Sequence, residues 1–192
     1  SYFKPRTLDA LIACCADVAF AAPETPFYYY DIPAWTGVSF SMLDFLAQAE
    51  GKIPTLVGLK FTNPDLMAYQ LCLRDGRWDV PFGVDEHLLG GLAMGAKGAV
   101  GSGFNFAAPV YRRLLNAFAA GDLATARAEQ LRGVQLIELL AGFGYMAAAK
   151  ATMTMLGVEV GPARLPNSNL APAQLKELRG KLESLGFFEW LT

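Results

Sequence analysis

Thr55-Leu-Val-Gly-Leu-Lys-Phe-Thr62 reads as a buried β-strand with a lysine in it. Leu56, Val57, Leu59 and Phe61 make a short apolar run, bounded by Gly51 before it and by Asn63-Pro64-Asp65 after it, the pattern of a strand inside a covered sheet. Ammonium groups seldom enter such a run unless they are paired or used. Burial disfavours the charged form of an amine, and the neutral amine is the species that attacks a carbonyl. Lys60 is therefore a candidate for imine chemistry. The same residue also reads as a lysine near a strand end, its stem on apolar surface and its ammonium in water.

Outward from this strand, helical and extended patterns alternate. Upstream, Thr7 is placed to cap a helix carrying Leu8, Leu11, Ile12, Cys15, Val18 and Ala19, followed by the aromatic strand Phe27 to Tyr30 and a helix capped by Ser41. Downstream, a helix is predicted to start at Asn63-Pro64-Asp65, with the proline at an early helical position. Short strands follow at Val80–Asp85 and Gly98–Phe104, with a helix over residues 86–94 between them. Beyond residue 106 the chain reads as helical, over 109–119, 122–140, 150–156 and 172–185. Gly161-Pro-Ala-Arg-Leu-Pro-Asn167 is an irregular connector that its prolines keep out of a helix. Four β-then-α units imply an α/β fold with a parallel sheet and covering helices. The expected organisation is one domain, with residues 1–106 forming the βα units and 107–192 a last covering helix and a helical C-terminal segment.

Composition removes several classes of function. The chain has 192 residues, 53% of them hydrophobic, and a net charge of −2, enough for one substantial core and without the basic character of a nucleic-acid binder. Its apolar runs are broken well short of a membrane span, and no signal-peptide pattern opens it. Cys14, Cys15 and Cys72 are an odd number with no metal or redox spacing, which points to a reducing, cytoplasmic compartment. His87 is the single histidine, so no two-histidine metal site can be built.

Tyr30, Lys60, Asp85 and Ser102 each fall at or near the C-terminal end of a predicted strand, 30, 25 and 17 residues apart. In a (β/α)8 barrel such ends converge on the active site. Singly, each has a plainer reading: Tyr30 as core, Asp85-Glu86 as a helix start where carboxylates complement the dipole, and Ser102 as part of a glycine-rich turn. Together with the lysine they outline a pocket for carbonyl chemistry.

Tyr28-Tyr-Tyr-Asp-Ile-Pro33, Thr36-Gly-Val38, Gly58-Leu-Lys-Phe-Thr62, Phe82-Gly-Val-Asp-Glu86, Gly98-Ala-Val-Gly-Ser102 and Gly161-Pro-Ala-Arg-Leu-Pro166, in that order, resemble the dihydrodipicolinate synthase and N-acetylneuraminate lyase family of class I aldolases. The likeness covers essentially the whole chain and is strongest to the animal-type lyases. It implies the C-terminal half of a (β/α)8 barrel followed by a helical extension. It also implies an aldehyde-lyase that cleaves N-acetylneuraminate (sialic acid) to N-acetylmannosamine and pyruvate. Lys60 matches the imine-forming lysine and Tyr30 the proton-relaying tyrosine; Thr62, Gly83, Asp85, Glu86 and Ser102 match positions that bind the sugar chain. No metal or separate cofactor is implied, the covalent imine on Lys60 being the electron sink. Implied partners are these small molecules and, in the complete enzyme, three further copies in a homotetramer, with neither nucleic acid nor membrane.

Two positions refine the resemblance. Trp35 stands where the synthases carry an arginine for a second carboxylate, a bond tryptophan cannot make. Asp31 departs from the histidine or asparagine expected after the tyrosine. A full barrel needs eight strands and about 250 residues, whereas four strands are legible here and Ser1-Tyr-Phe-Lys-Pro5 resembles the end of the family's fourth. The family's Gly-x-x-Gly-Glu segment, which serves the pyruvate carboxylate, is not found. The expectation is a C-terminal part of a lyase with little or no activity alone. A related 2-oxo-3-deoxy sugar acid aldolase or dehydratase, and a non-catalytic binding or assembly fragment, are the alternatives.

Overall fold

A computed structural model of the chain describes residues 3–192. Ser1 and Tyr2, within the stretch likened above to a strand end, lie outside the described residues. The fold is α/β, in two compact units, Ser1–Val100 and Gly101–Thr192.

The first unit opens with α1 (Leu8–Phe20), where Thr7 Oγ1 accepts from the Ala10 N–H at 3.2 Å and so satisfies one of the donors a helix start leaves free. Then come β1 (Phe27–Asp31), the one-turn helix α2 (Pro33–Thr36) and α3 (Met42–Ala49), the last capped by Ser41 Oγ. β2 (Leu56–Phe61) and α4 (Leu66–Leu73) follow, then a 3-10 turn at Asp85–His87 that leads into α5 (Leu88–Ala93). Pro64 lies before α4 rather than in its first turn. Asp65 caps that helix through Oδ1, 2.9 Å from the Ala68 nitrogen, and Asn63 Oδ1 accepts from the Asp65 N–H at 3.0 Å. These two side chains compete with helical backbone bonding and delay the helix start.

β1 and β2 run parallel, with Tyr30 opposite Lys60 and Asp31 opposite Phe61. Beyond β2 the pairing continues through single parallel bridges, Gly58 with Asp79, Phe61 with Phe82 and Phe82 with Ala99. The predicted strands at Val80–Asp85 and Gly98–Phe104 are thus present only as bridges. Pro81 has no N–H to donate, Asp85 is already in a 3-10 turn, and Phe104 already begins a helix. Ladder-type bonds remain, from Gly83 N–H to Phe61 O at 2.8 Å and from Val100 N–H to Phe82 O at 2.9 Å.

Alternation along the strands separates two faces. Tyr29 meets Phe45 of α3 (ring centroids 4.8 Å apart) and Phe61 meets Tyr69 of α4 (5.2 Å). Tyr69 is fully buried and its hydroxyl donates to Val80 O at 2.9 Å, pinning α4 to the bridged segment. Tyr30 and Lys60, one residue out of phase with Tyr29 and Phe61, emerge on the opposite face.

The second unit is helical: α6 (Phe104–Ala119), α7 (Leu123–Gly142), α8 (Tyr145–Met155) and α9 (Pro172–Leu185), then a 3-10 turn at Glu189–Leu191. α6 begins five residues earlier than the sequence suggests and carries Pro109 inside it, with a kink at Ala107 (φ −130°, ψ 25°). Proline removes the bond to the carbonyl four residues back and crowds that turn. Buried Glu129 on α7 binds Arg132 at 2.5 Å and Arg113 of α6 at 3.1 Å, and Arg113 also donates to Trp190 O at 2.8 Å. One carboxylate thereby ties α6, α7 and the C-terminal turn together.

Candidate active site

Parallel register brings Tyr30 and Lys60 side by side at the C-terminal ends of β1 and β2. Lys60 Nζ stands 4.1 Å from the centroid of the Tyr30 ring, a cation–π distance that keeps the amine over an electron-rich surface. Tyr30 is 46% exposed, so its phenol is open to a ligand rather than sealed in the core. Lys60 is half-buried.

Thr62 follows β2, and its N–H donates to Asp31 O at 2.8 Å. Its Oγ1 is buried with no hydrogen-bond partner. An orphaned buried hydroxyl is costly, so a ligand group bonding to it would gain more than an ordinary surface contact. Gly83 closes the other side. A Cβ built there would collide with Thr62 Oγ1 and lie 3.0 Å from Lys60 Cε, so the backbone approaches the lysine this closely only because the residue is glycine.

Asp85 and Glu86 start the 3-10 turn two and three residues beyond Gly83. Asp85 is buried and Glu86 half-buried. Ser102 belongs to the second unit, is exposed, and shares a hydrogen bond of 2.7 Å with the Tyr145 hydroxyl. The structure therefore gathers Tyr30, Lys60, Thr62 and Gly83 around one amine, with Asp85 and Glu86 next in the chain.

Sequence reasoning missed two residues. Tyr145 begins α8, five residues before the helix that periodicity predicts; the available signal is Gly144, whose φ of +81° supplies the turn into it. Asp31 stands out in the sequence only as a departure from the family pattern. Its side chain is 2% exposed, and burial, partly opposed by a hydrogen bond with Asn63, pushes its carboxyl up from 3.8 to about 6. Trp35 on α2 is 77% exposed. Among the described residues, no three or more His, Cys, Asp or Glu side chains are grouped to hold a metal, and no helix is long and apolar enough to cross a membrane.

Residues 2–185 match the Dihydrodipicolinate synthetase family. The chain belongs to that family. It is 40% identical over 191 residues to the N-acetylneuraminate lyase of Mus musculus, covering 97% of this chain and 60% of that protein. The N-acetylneuraminate lyase (sialic acid aldolase) structure from Aliivibrio salmonicida is 43% identical with a TM-score of 0.92, covering 97% of this chain and 62% of that one. The dihydrodipicolinate synthase of Cyanidioschyzon merolae is 26% identical with a TM-score of 0.82, covering 96% and 62%. Against each of these family members the chain spans about three-fifths of the length.

Proposed function

We propose that this chain carries the imine-forming part of a Schiff-base aldolase that cleaves N-acetylneuraminate to N-acetylmannosamine and pyruvate. The observation that carries the reading is the amine of Lys60 held over the Tyr30 ring, beside an unpartnered Thr62 hydroxyl and a glycine backbone. Lyase relatives near 40% identity support it.

In this scheme Lys60 Nζ attacks C2 of the 2-oxo acid, and loss of water leaves a protonated imine. Removal of the C4 hydroxyl proton lets the C3–C4 bond break, its electron pair flowing into the imine to give an enamine and the free aldehyde. Tyr30, with the substrate carboxylate, relays that proton. Protonation of C3 and hydrolysis then release pyruvate and restore the lysine. The imine supplies the electron sink, and no further cofactor takes part. Thr62, Gly83, Asp85, Glu86 and Ser102 bind the polyol chain, as donors and acceptors that reject analogues lacking those hydroxyls.

The fold assigned with this function is the second half of a (β/α)8 barrel. Residues 1–106 supply its βα units and 107–192 its last helix and a helical extension, within one domain of a cytoplasmic homotetramer. The pyruvate carboxylate would be held by a Gly-x-x-Gly-Glu segment not found in these 192 residues, so the chain alone turns over little or no substrate. Asp31 favours one second reading, a related 2-oxo-3-deoxy sugar acid aldolase or dehydratase with the same Lys60 and Tyr30. The test is pyruvate release from a panel of such acids, using the chain complemented by the N-terminal segment of a lyase relative. N-acetylneuraminate as the preferred substrate supports the proposal. Preference for another acid favours the second reading, and a soluble, associated but inactive complex refutes both.

A further inference from the structure

Tyr28 and Asp79 have no part in the chemistry above, yet they lie on the face of the sheet that carries it. Tyr28 is two residues before Tyr30 on β1, so alternation puts both rings on the side where Lys60 emerges. The Tyr28 hydroxyl donates to Asp79 Oδ2 at 2.6 Å, a bond between residues 51 apart in the chain. That bond is the first of the causes that hold the phenol above the usual tyrosine range, so the donor keeps its proton at neutral pH. With a carboxylate as acceptor the bond is charge-assisted, and stronger than one between neutral groups.

The register shows what this bond spans. Tyr28 pairs with Gly58 of β2, and Gly58 in turn pairs with Asp79. The three residues form one row across β1, β2 and the bridged segment, about 10 Å from end to end at the usual strand spacing. Tyrosine and aspartate meet over the middle of the row because residue 58 carries no side chain; a Cβ there would run into the Asp79 carbonyl. The site stands just beyond this row. Tyr30 is two residues past Tyr28, Lys60 two past Gly58, and Gly83 four past Asp79. The segment that carries Gly83 is held to β2 by bridges rather than by a continuous ladder. Its ties are Asp79 N–H to Val57 O at 3.0 Å, Leu59 N–H to Asp79 O at 3.1 Å, Phe61 N–H to Pro81 O at 3.0 Å and Gly83 N–H to Phe61 O at 2.8 Å.

We propose that Tyr28 and Asp79 are positioning residues: their bond clamps the 79–83 segment to β1 across β2, and so fixes how closely Gly83 approaches Lys60 and Thr62. Without the clamp the segment is free to lift from β2, and Gly83 moves with it. The clamp stands on this geometry; its effect on imine formation rests on the aldolase reading.

Hydrogen exchange of the Gly83 amide reads the clamp in the full chain, with the Phe45 amide of α3, bonded to Ser41 O at 2.9 Å, as reference. In Tyr28→Phe, Gly83 protection should fall about fivefold while Phe45 protection holds. Asp79→Ala should repeat the loss, and Asp79→Asn, which keeps an oxygen acceptor, should recover most of it. Combining Tyr28→Phe with Asp79→Ala should lose no more than the larger single loss. In the complemented enzyme, the maximal rate of borohydride-trapped pyruvate imine, per mole of folded Tyr28→Phe protein, should fall about fivefold with the half-saturating pyruvate concentration unchanged. Unchanged Gly83 protection in Tyr28→Phe, or protection lost equally at Phe45, overturns the inference, as does an unchanged maximal rate. Should Asp79→Ala not fold, Tyr28→Phe and Asp79→Asn decide. A wild-type enzyme that forms no imine refutes the aldolase reading instead, and the clamp then stands or falls on the Gly83 amide alone.

Discussion

Gly83→Ala is the substitution that interrogates the site most sharply. Its Cβ would overlap Thr62 Oγ1 and sit 3.0 Å from both Thr62 Cβ and Lys60 Cε. The lysine stem is flexible and yields cheaply. Thr62 does not, because a β-branched side chain has few χ1 alternatives, so either Thr62 turns or the 83 backbone retreats from Phe61. Overpacking of this kind costs about 1–3 kcal/mol, readable as a lowered urea midpoint. Misplacing reacting groups by about 1 Å costs up to about a hundredfold in rate, so the initial rate of borohydride-trapped pyruvate imine, per mole of folded complemented enzyme, should fall at least about tenfold. Gly51→Ala is the control. Its φ of +74° makes the alanine strained, but nothing lies within 4 Å of the new Cβ, so it should lose about 1 kcal/mol and keep its trapping rate. A Gly83→Ala chain with wild-type stability and wild-type trapping would refute the close approach of Gly83 to Lys60 and Thr62.

Other substitutions probe the frame and its charge. Tyr69→Phe leaves the buried Val80 carbonyl without its donor and should cost about 1–2 kcal/mol in urea melts. Glu129→Gln removes the charge shared by Arg113 and Arg132, which are each about a third exposed; a loss of about 1–2 kcal/mol is expected, with earlier proteolysis near residue 190. For Asp31, the folded chain binds the proton more tightly than the unfolded chain. Its stabilising contribution is therefore complete below about pH 4 and lost as pH rises through about 6. At about 1.36 kcal/mol per pH unit the loss reaches about 3 kcal/mol. Wild-type stability relative to Asp31→Asn should fall across that window, as urea melts at pH 4, 5, 6 and 7 would show.

Much of this was legible in the sequence, where local chemistry acts alone. Thr7 and Ser41 announce helix starts, and each does cap its helix. The apolar run around Lys60 marks β2, and its spacing from Tyr30 suits one βα step. Reading failed where a neighbour decides the outcome. Pro81 marks irregular pairing, but only the partner backbone determines that bridges replace a strand there. Pro109 looks like a helix start, yet packing carries the helix upstream through a kink at Ala107. Asp31 is one residue past the tyrosine, and nothing local says that its carboxylate is entombed rather than at the surface. Tyr145 escaped because its bond to Ser102 spans 43 residues, a pairing no short pattern encodes.

Imine chemistry at this site requires that Lys60 be a nucleophile. The direct measurement is incubation of the complemented enzyme with pyruvate, reduction with borohydride, and peptide mapping of the added mass, alongside Lys60→Arg. An adduct on Lys60 that is absent from Lys60→Arg is the predicted result. A folded, assembled enzyme with no adduct, or with one on another lysine, would contradict the central claim.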